Sequence, residues 1–160
     1  MFQFAPMEGR SKAEGYAGLR EAALALTDGE RDAMANMANL AALIQEVLPD
    51  LNWAGFYRRI GDELVLGPFI GKPACVRIPL GKGVCGTAAA TGATQVVPDV
   101  HAFPGHIACD AASRSELVVP VIRDGAVVAV IDLDSPIPAR FDEEDARGIE
   151  ALAEVIAERI

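Results

Sequence analysis

Glu116-Leu117-Val118-Val119-Pro120-Val121-Ile122-Arg123-Asp124-Gly125-Ala126-Val127-Val128-Ala129-Val130-Ile131-Asp132-Leu133-Asp134 is two runs rich in valine and isoleucine on either side of a turn. Branching at Cβ stiffens χ1 and suits extended backbone. Arg123-Asp124-Gly125 supplies turn chemistry, so 117–122 and 126–133 read as a β-hairpin. A second hairpin, 51–60 with 63–69, turns at Gly61-Asp62. Strands joined this tightly pair antiparallel, which argues against a helical crossover between parallel strands.

The hairpin also sets the acids. With a three-residue loop Ile122 pairs with Ala126, and counting back places Glu116 opposite Asp132. Asp134 then shares their face by the period of two. A two-residue loop shifts the parity and breaks that pairing. The plain reading is three solvated strand-end acids. Like charges directly opposite are destabilising, however. The functional reading is therefore a cradle for an ammonium group, or a proton donor whose pKa its neighbours raise.

Helical spacing flanks the hairpins. Ser11-Lys12-Ala13-Glu14 reads as a capping box opening a helix through Tyr16, Leu19, Ala23 and Leu26. Thr27-Asp28-Gly29-Glu30 reads as a second box, before Ala33, Met37, Leu40, Ile44 and Val47. Asp142 caps a last helix whose apolar face is Ile149, Leu152, Ile156 and Ile160. The stretch 71–115 is rich in Gly, Pro and polar residues, with one short helix expected over 84–91 before Gly92. Long irregular segments of this kind usually carry binding or catalysis. The expected architecture is α/β in the broad sense, more closely α+β: an antiparallel sheet with helices packed on one face and a loop-built active site on the other.

A chain of 160 residues is the size of one domain, so 1–160 is read as a single unit. Fourteen Lys and Arg against 23 Asp and Glu leave a net charge of −9, which repels phosphate backbones and makes nucleic acid an unsuitable partner. No apolar stretch is long enough to span a membrane, and the N-terminus reads as too short and polar for a signal peptide. A cytoplasmic location is expected.

Three cysteines in a reducing compartment are free for chemistry rather than stapling. Cys85, beside Val84 at a helix start, reads as a small buried hydrophobe. Cys75 and Cys109 fit that reading poorly, since both lie in polar, turn-prone segments. His106 and Arg114 favour a Cys109 thiolate while Asp110 and Glu116 oppose it, so its pKa stays open. Cys75, Cys85, His101, His106 and Cys109 lack the close pairs of structural zinc, and no metal is expected. Gly81-Lys82-Gly83-Val84-Cys85-Gly86 spells a dinucleotide fingerprint, but its antiparallel surroundings make it a helix-entry turn. Trp53 and Tyr57 share one strand face, with Gly55 between them leaving room, and Ala54 and Phe56 take the other.

Several segments together resemble the free methionine-(R)-sulfoxide reductases, a family with the GAF fold. They are 52–57 (NWAGFY), 67–69 (GPF), 71–75 (GKPAC), 83–88 (GVCGTA), 99–110 (DVHAFPGHIACD), 113–116 (SRSE) and 132–135 (DLDS). The likeness runs from about Leu51 to the end, and the spacing of the three cysteines follows it.

The resemblance implies thiol chemistry on free methionine sulfoxide. Cys109 would be the nucleophile, becoming a sulfenic acid, and Cys75 the thiol that condenses with it to a disulfide. Cys85 is a third candidate for the relay. A thioredoxin-like reductant would restore the thiols. Glu116, Asp132 and Asp134 correspond to substrate-binding acids, and Trp53 and Tyr57 to aromatic walls around the thioether. No cofactor is implied, and a homodimer would follow the family's habit. The rival reading is a GAF sensor module that binds a small molecule without turning it over.

Overall fold

The computed structural model describes residues 4–107 and 110–160. Four helices and six strands follow in the order α1 (Lys12–Leu26), α2 (Ala33–Val47), β1 (Trp53–Ile60), β2 (Glu63–Ile70), β3 (Arg77–Pro79), α3 (Gly83–Thr91), β4 (Gln95–Val97), β5 (Ser115–Arg123), β6 (Ala126–Ser135) and α4 (Glu143–Ile156). One sheet holds all six strands in the order β3-β2-β1-β6-β5-β4, with every neighbouring pair antiparallel. The α+β expectation from the two hairpins is borne out. No helix among the described residues is long and apolar enough to cross a membrane.

Alternation along the central strands sorts side chains into two cores. Ala54, Phe56, Leu117, Val119, Ile131 and Leu133 pack under α1, α2 and α4. Trp53, Tyr57, Val118 and Val130 face the other way, where Val84, Cys85 and Ala88 of α3 cover them. Helices therefore lie on both faces, three on one and the short α3 on the other. The segment 71–115, expected to hold one helix, also carries β3, β4 and a 3-10 turn at Val100–Ala102.

Local chemistry explains where the helices begin. Ser11 accepts from Glu14 N and the Glu14 carboxylate returns the bond, completing the expected capping box. The second expected box does not form. Thr27 ends α1, its hydroxyl donating to Ala23 O at 2.8 Å. Asp32 caps α2 by accepting from Ala35 N at 2.9 Å. A carboxylate placed directly before the apolar stripe outcompetes a threonine five residues upstream. Asp142 caps α4 as expected, in a box with Asp145.

The β5–β6 turn differs from expectation in an instructive way. It is a two-residue loop, Asp124-Gly125, with Arg123 paired to Ala126 and φ of 50° and 77° at the two loop residues. Two successive positive φ values match the twist of antiparallel strands. The register then shifts between Val121 and Ile122: Ile122 faces Val127, but Val121 faces Ala129. The additional residue, Val128, is a β-bulge. Turn and bulge together place Glu116 opposite Asp134 and Val118 opposite Asp132, so the expected Glu116–Asp132 pairing is replaced. The bulge cancels the parity change, and all three acids keep one face.

Asp145 is fully buried between α1 and α4, where Tyr16 Oη donates to it at 2.7 Å and Lys12 Nζ at 2.7 Å. Gly148 admits the Tyr16 ring, since a Cβ there would meet Tyr16 Cγ at 2.2 Å. In an unobstructed helix Gly→Ala stabilises by up to about 1 kcal/mol. Here Gly148→Ala should instead lower unfolding free energy by about 1–3 kcal/mol, the scale of overpacking. Urea denaturation tests the sign; a gain in stability would contradict this α1–α4 contact.

Candidate active site

The pocket opens on the α3 face of the sheet. Trp53 and Tyr57 of β1, Cys85 of α3, Glu116 of β5, and Asp132 and Asp134 of β6 all line it. So do Lys72, His106, Ile107, Asp110 and Ser113 from the surrounding loops. Six of the eight residues expected at the site are thus brought together by three neighbouring strands and one helix N-terminus.

The aromatic wall is stacked and tied to a loop. Trp53 stacks on Phe69 at 5.1 Å between ring centroids and on Tyr57 at 6.0 Å. Trp53 Nε1 donates to Lys72 O at 3.1 Å and Tyr57 Oη to Cys75 O at 2.9 Å, so both rings hold the 72–75 segment. The room expected at Gly55 is taken by Phe69, whose Cβ stands 2.4 Å from where a Gly55 Cβ would be. Gly55 therefore serves strand pairing rather than ligand space.

Opposite the rings is the acid cluster. Glu116 and Asp132 are buried and Asp134 is partly so. Burial pushes all three carboxyls well above the usual range, reinforced by a neighbouring acid in each case: Asp134 for Glu116, Glu116 for Asp132, and Asp132 for Asp134. Among the described residues, His106 is the only basic side chain within 4 Å of them, its Nε2 lying 3.6 Å from Glu116 Oε2. Burial lowers the His106 pKa, which favours the neutral ring. Cys85 is buried against the cluster, and burial followed by the Asp132 charge drives its thiol pKa well up. A thiol in that setting is a poor thiolate.

At the rim, Asp110 joins three segments. It accepts from Asn52 Nδ2 at 3.1 Å, Lys72 Nζ at 3.2 Å and Ala112 N at 2.8 Å. Asn52 Nδ2 also donates to Ser113 Oγ at 3.0 Å. These bonds, the Ala112 amide first, hold the Asp110 carboxyl below its ordinary pKa.

Of the cysteines, Cys75 is partly buried on the 72–75 segment beside the pocket. Cys109 lies outside the described residues; Ile107 and Asp110, which bracket that gap, both line the pocket. His101 does not reach the pocket, being exposed and bonded to Asp99 at 3.1 Å. Sequence reasoning assigned no role to Asn52 or Lys72 and weighed Asp110 only as a charge. Their advance signals were polarity immediately beside Trp53, Pro73 and Cys109 and their place in the segments 52–57, 71–75 and 99–110 that carry the family resemblance.

The GAF domain pattern matches residues 16–160. A free methionine-R-sulfoxide reductase of Escherichia coli is 52% identical over 142 residues, covering 89% of this chain and 86% of that protein. The free methionine-R-sulfoxide reductase of Neisseria meningitidis, solved with its substrate, superposes with a TM-score of 0.93 at 44% identity, covering 99% of this chain and 95% of that one. A Burkholderia vietnamiensis protein described as a candidate GAF sensor is 63% identical, with a TM-score of 0.89 and coverage of 93% and 95%. The chain belongs to the GAF domain family and, within it, to the free methionine-R-sulfoxide reductases.

The raised acids make stability depend on pH with a definite sign. A carboxyl whose folded pKa exceeds its unfolded value, about 4, keeps its proton longer in the native state. Native protein then binds more protons than unfolded protein, and stability falls as pH rises from about 4 toward the folded pKa. Asp142, held down to about 2 first by its bond from Lys12, contributes with the opposite sign as pH falls. The difference between wild type and variant isolates the cluster. Asp134→Asn and Glu116→Gln should raise the melting temperature near neutral pH and leave it nearly unchanged near pH 4. A neutral-pH melting temperature equal to wild type would remove the repulsion from this account.

Proposed function

We propose that this protein reduces free L-methionine (R)-sulfoxide to L-methionine by thiol chemistry. The observation that carries the reading is a triad of carboxyl groups, two buried and one partly buried, that has no lysine or arginine partner among the described residues and faces a stacked aromatic wall. Such a triad suits a free α-ammonium, which methionine inside a polypeptide lacks. The rings suit the thioether end. Family membership supports the same substrate, and the R preference comes from it.

In this reading the Cys109 thiolate attacks the sulfoxide sulfur while one acid of the cluster protonates the oxygen. The oxygen passes to Cys109 as a sulfenic acid, the cysteine sulfur is oxidised by two electrons, and methionine leaves. The raised pKa of Glu116, Asp132 and Asp134 keeps a transferable proton in the pocket to higher pH than ordinary carboxyls would. The Cys75 thiol then condenses with the sulfenic acid, releasing water and closing a disulfide. A dithiol reductant of the thioredoxin type returns both cysteines to thiols and leaves as its own disulfide. Cys85, with its pKa driven up beside the acids, takes no part as nucleophile.

Turnover of free methionine (R)-sulfoxide with dithiothreitol or thioredoxin tests the reading. N-acetylmethionine sulfoxide should be turned over poorly, and Asp132→Asn should lose roughly 10²-fold in kcat/KM, the scale of a positioned acid. Equal use of the acetylated compound would sink the ammonium argument. Binding without turnover would make the protein a sensor.

The cysteines separate in a single turnover. Cys109→Ser should release no methionine, whereas Cys75→Ser should release one equivalent and stop at a sulfenic acid that a trapping reagent labels. Cys85→Ser should be the mildest. Quenched methionine release with intact mass reads all three, and one equivalent released by Cys109→Ser would move the nucleophile elsewhere.

A further inference from the structure

Cys85 Sγ and one carboxyl oxygen each of Glu116 and Asp132 lie within 4.8 Å of one another on the pocket floor, all three residues buried. Asp132 is 6% exposed and its Oδ1 lacks a hydrogen-bond partner. A buried carboxyl oxygen left unpaired is costly, and a ligand placed there recovers that cost. His106 Nε2 stands 3.6 Å from Glu116 Oε2 at the edge of the same set.

We propose that Cys85, Glu116 and Asp132, with His106 completing the set, form a binding site for one Zn2+ ion. Resting on the reductase reading, the further consequence is that zinc and substrate exclude each other. One sulfur, one imidazole nitrogen and two carboxylate oxygens make a tetrahedral donor set that this borderline-soft ion accepts, and the thiolate disfavours Mg2+ and Ca2+. Bonds of about 2.3 Å to sulfur and 2.0 Å to oxygen put donors roughly 3.5 Å apart. Cys85, Glu116 and Asp132 therefore close on the ion by side-chain shifts on the order of 1 Å, while His106, near Glu116 but outside that 4.8 Å group, has to swing further to join them. Binding expels the Cys85 proton and the protons held by the acids, with no change of oxidation state. The ion also relieves repulsion among acids that have no lysine or arginine partner among the described residues. The three nearest donors come from α3, β5 and β6, so no short sequence spacing announces them.

The test uses the full chain, reduced and freed of metal by chelation. Co2+ should bind one per chain with a thiolate-to-cobalt charge-transfer band in the near ultraviolet, and Zn2+ should displace it. Cys85→Ser should lose that band, and its Zn2+ affinity, measured against a chromophoric chelator, should fall at least about tenfold. The isosteric Asp132→Asn should weaken Zn2+ similarly and serves if Cys85→Ser fails to fold, while Cys75→Ser should bind as wild type. Unchanged affinity in Cys85→Ser or Asp132→Asn, or loss of binding in Cys75→Ser, overturns the site. These measurements contain no substrate, so they stand apart from the reductase reading. Where turnover is found, zinc should raise KM for methionine sulfoxide without changing kcat; failure to do so while zinc binds overturns the exclusion.

Discussion

Glu116, Asp132 and Asp134 sit on one face of adjacent strands, Glu116 directly across from Asp134, in a setting that leaves their charges poorly solvated. Such groups ordinarily turn toward water or recruit a basic partner. Here the first escape is closed, because the residues between them point the other way into the larger core, and the one basic side chain near them among the described residues is His106. Leu117, Val119, Ile131 and Leu133 are fully or almost fully buried under α1, α2 and α4. Strand alternation couples the two faces rigidly. Rotating an acid outward would pull its apolar neighbours out of contact, each a loss of about 1.5–3 kcal/mol. The hydrophobic core thus holds the carboxyl groups in a position that electrostatics alone would not choose.

Rigid strands carry the residues proposed to recognise the substrate, and a segment between strands carries Cys75, one of the thiols proposed to react. Trp53, Tyr57 and the three acids belong to β1, β5 and β6 at the centre of the sheet. Cys75 lies on a segment fastened by bonds from Trp53 and Tyr57 to backbone carbonyls. Asp110, next in sequence to Cys109, is fastened to Asn52 and Lys72. Lys72 accordingly takes part in both ties, through its carbonyl and its ammonium group. In the proposed relay a sulfenic acid and its resolving thiol must approach to bonding distance, a step that the Cys75 segment, held at a few polar points, suits better than a strand would.

Much of this was legible in the chain itself. Runs of valine and isoleucine broken by Gly61-Asp62 and by Arg123-Asp124-Gly125 specify two hairpins, because side-chain branching and turn chemistry act locally. The caps at Ser11 and Asp142 are legible for the same reason, each satisfying amides within three residues. Thr27 misleads because two caps compete along one short connection, and Asp32, nearer the apolar stripe, prevails. Alternation in β1 assigns Trp53 and Tyr57 to one face and Ala54 and Phe56 to the other.

The pairing of the acids, by contrast, needed the assembled sheet. Counting from the turn put Glu116 against Asp132, whereas the two-residue loop and the Val128 bulge put it against Asp134. A bulge arises where twist and packing across two strands are reconciled, and no single residue type encodes that balance. Phe69 filling the space over Gly55, and the tie of Asn52, Lys72 and Asp110, join residues far apart in the chain whose meeting depends on how loops settle on the sheet. Cys85 shows the division most clearly. Its sequence setting reads correctly as buried, yet only the crossing of α3 over β5 and β6 sets its sulfur beside two carboxyl groups. By itself the sequence determined strands, caps and faces, since those follow from interactions within a few residues. The tertiary structure decided which charges meet, because that depends on register and crossing between elements distant in sequence.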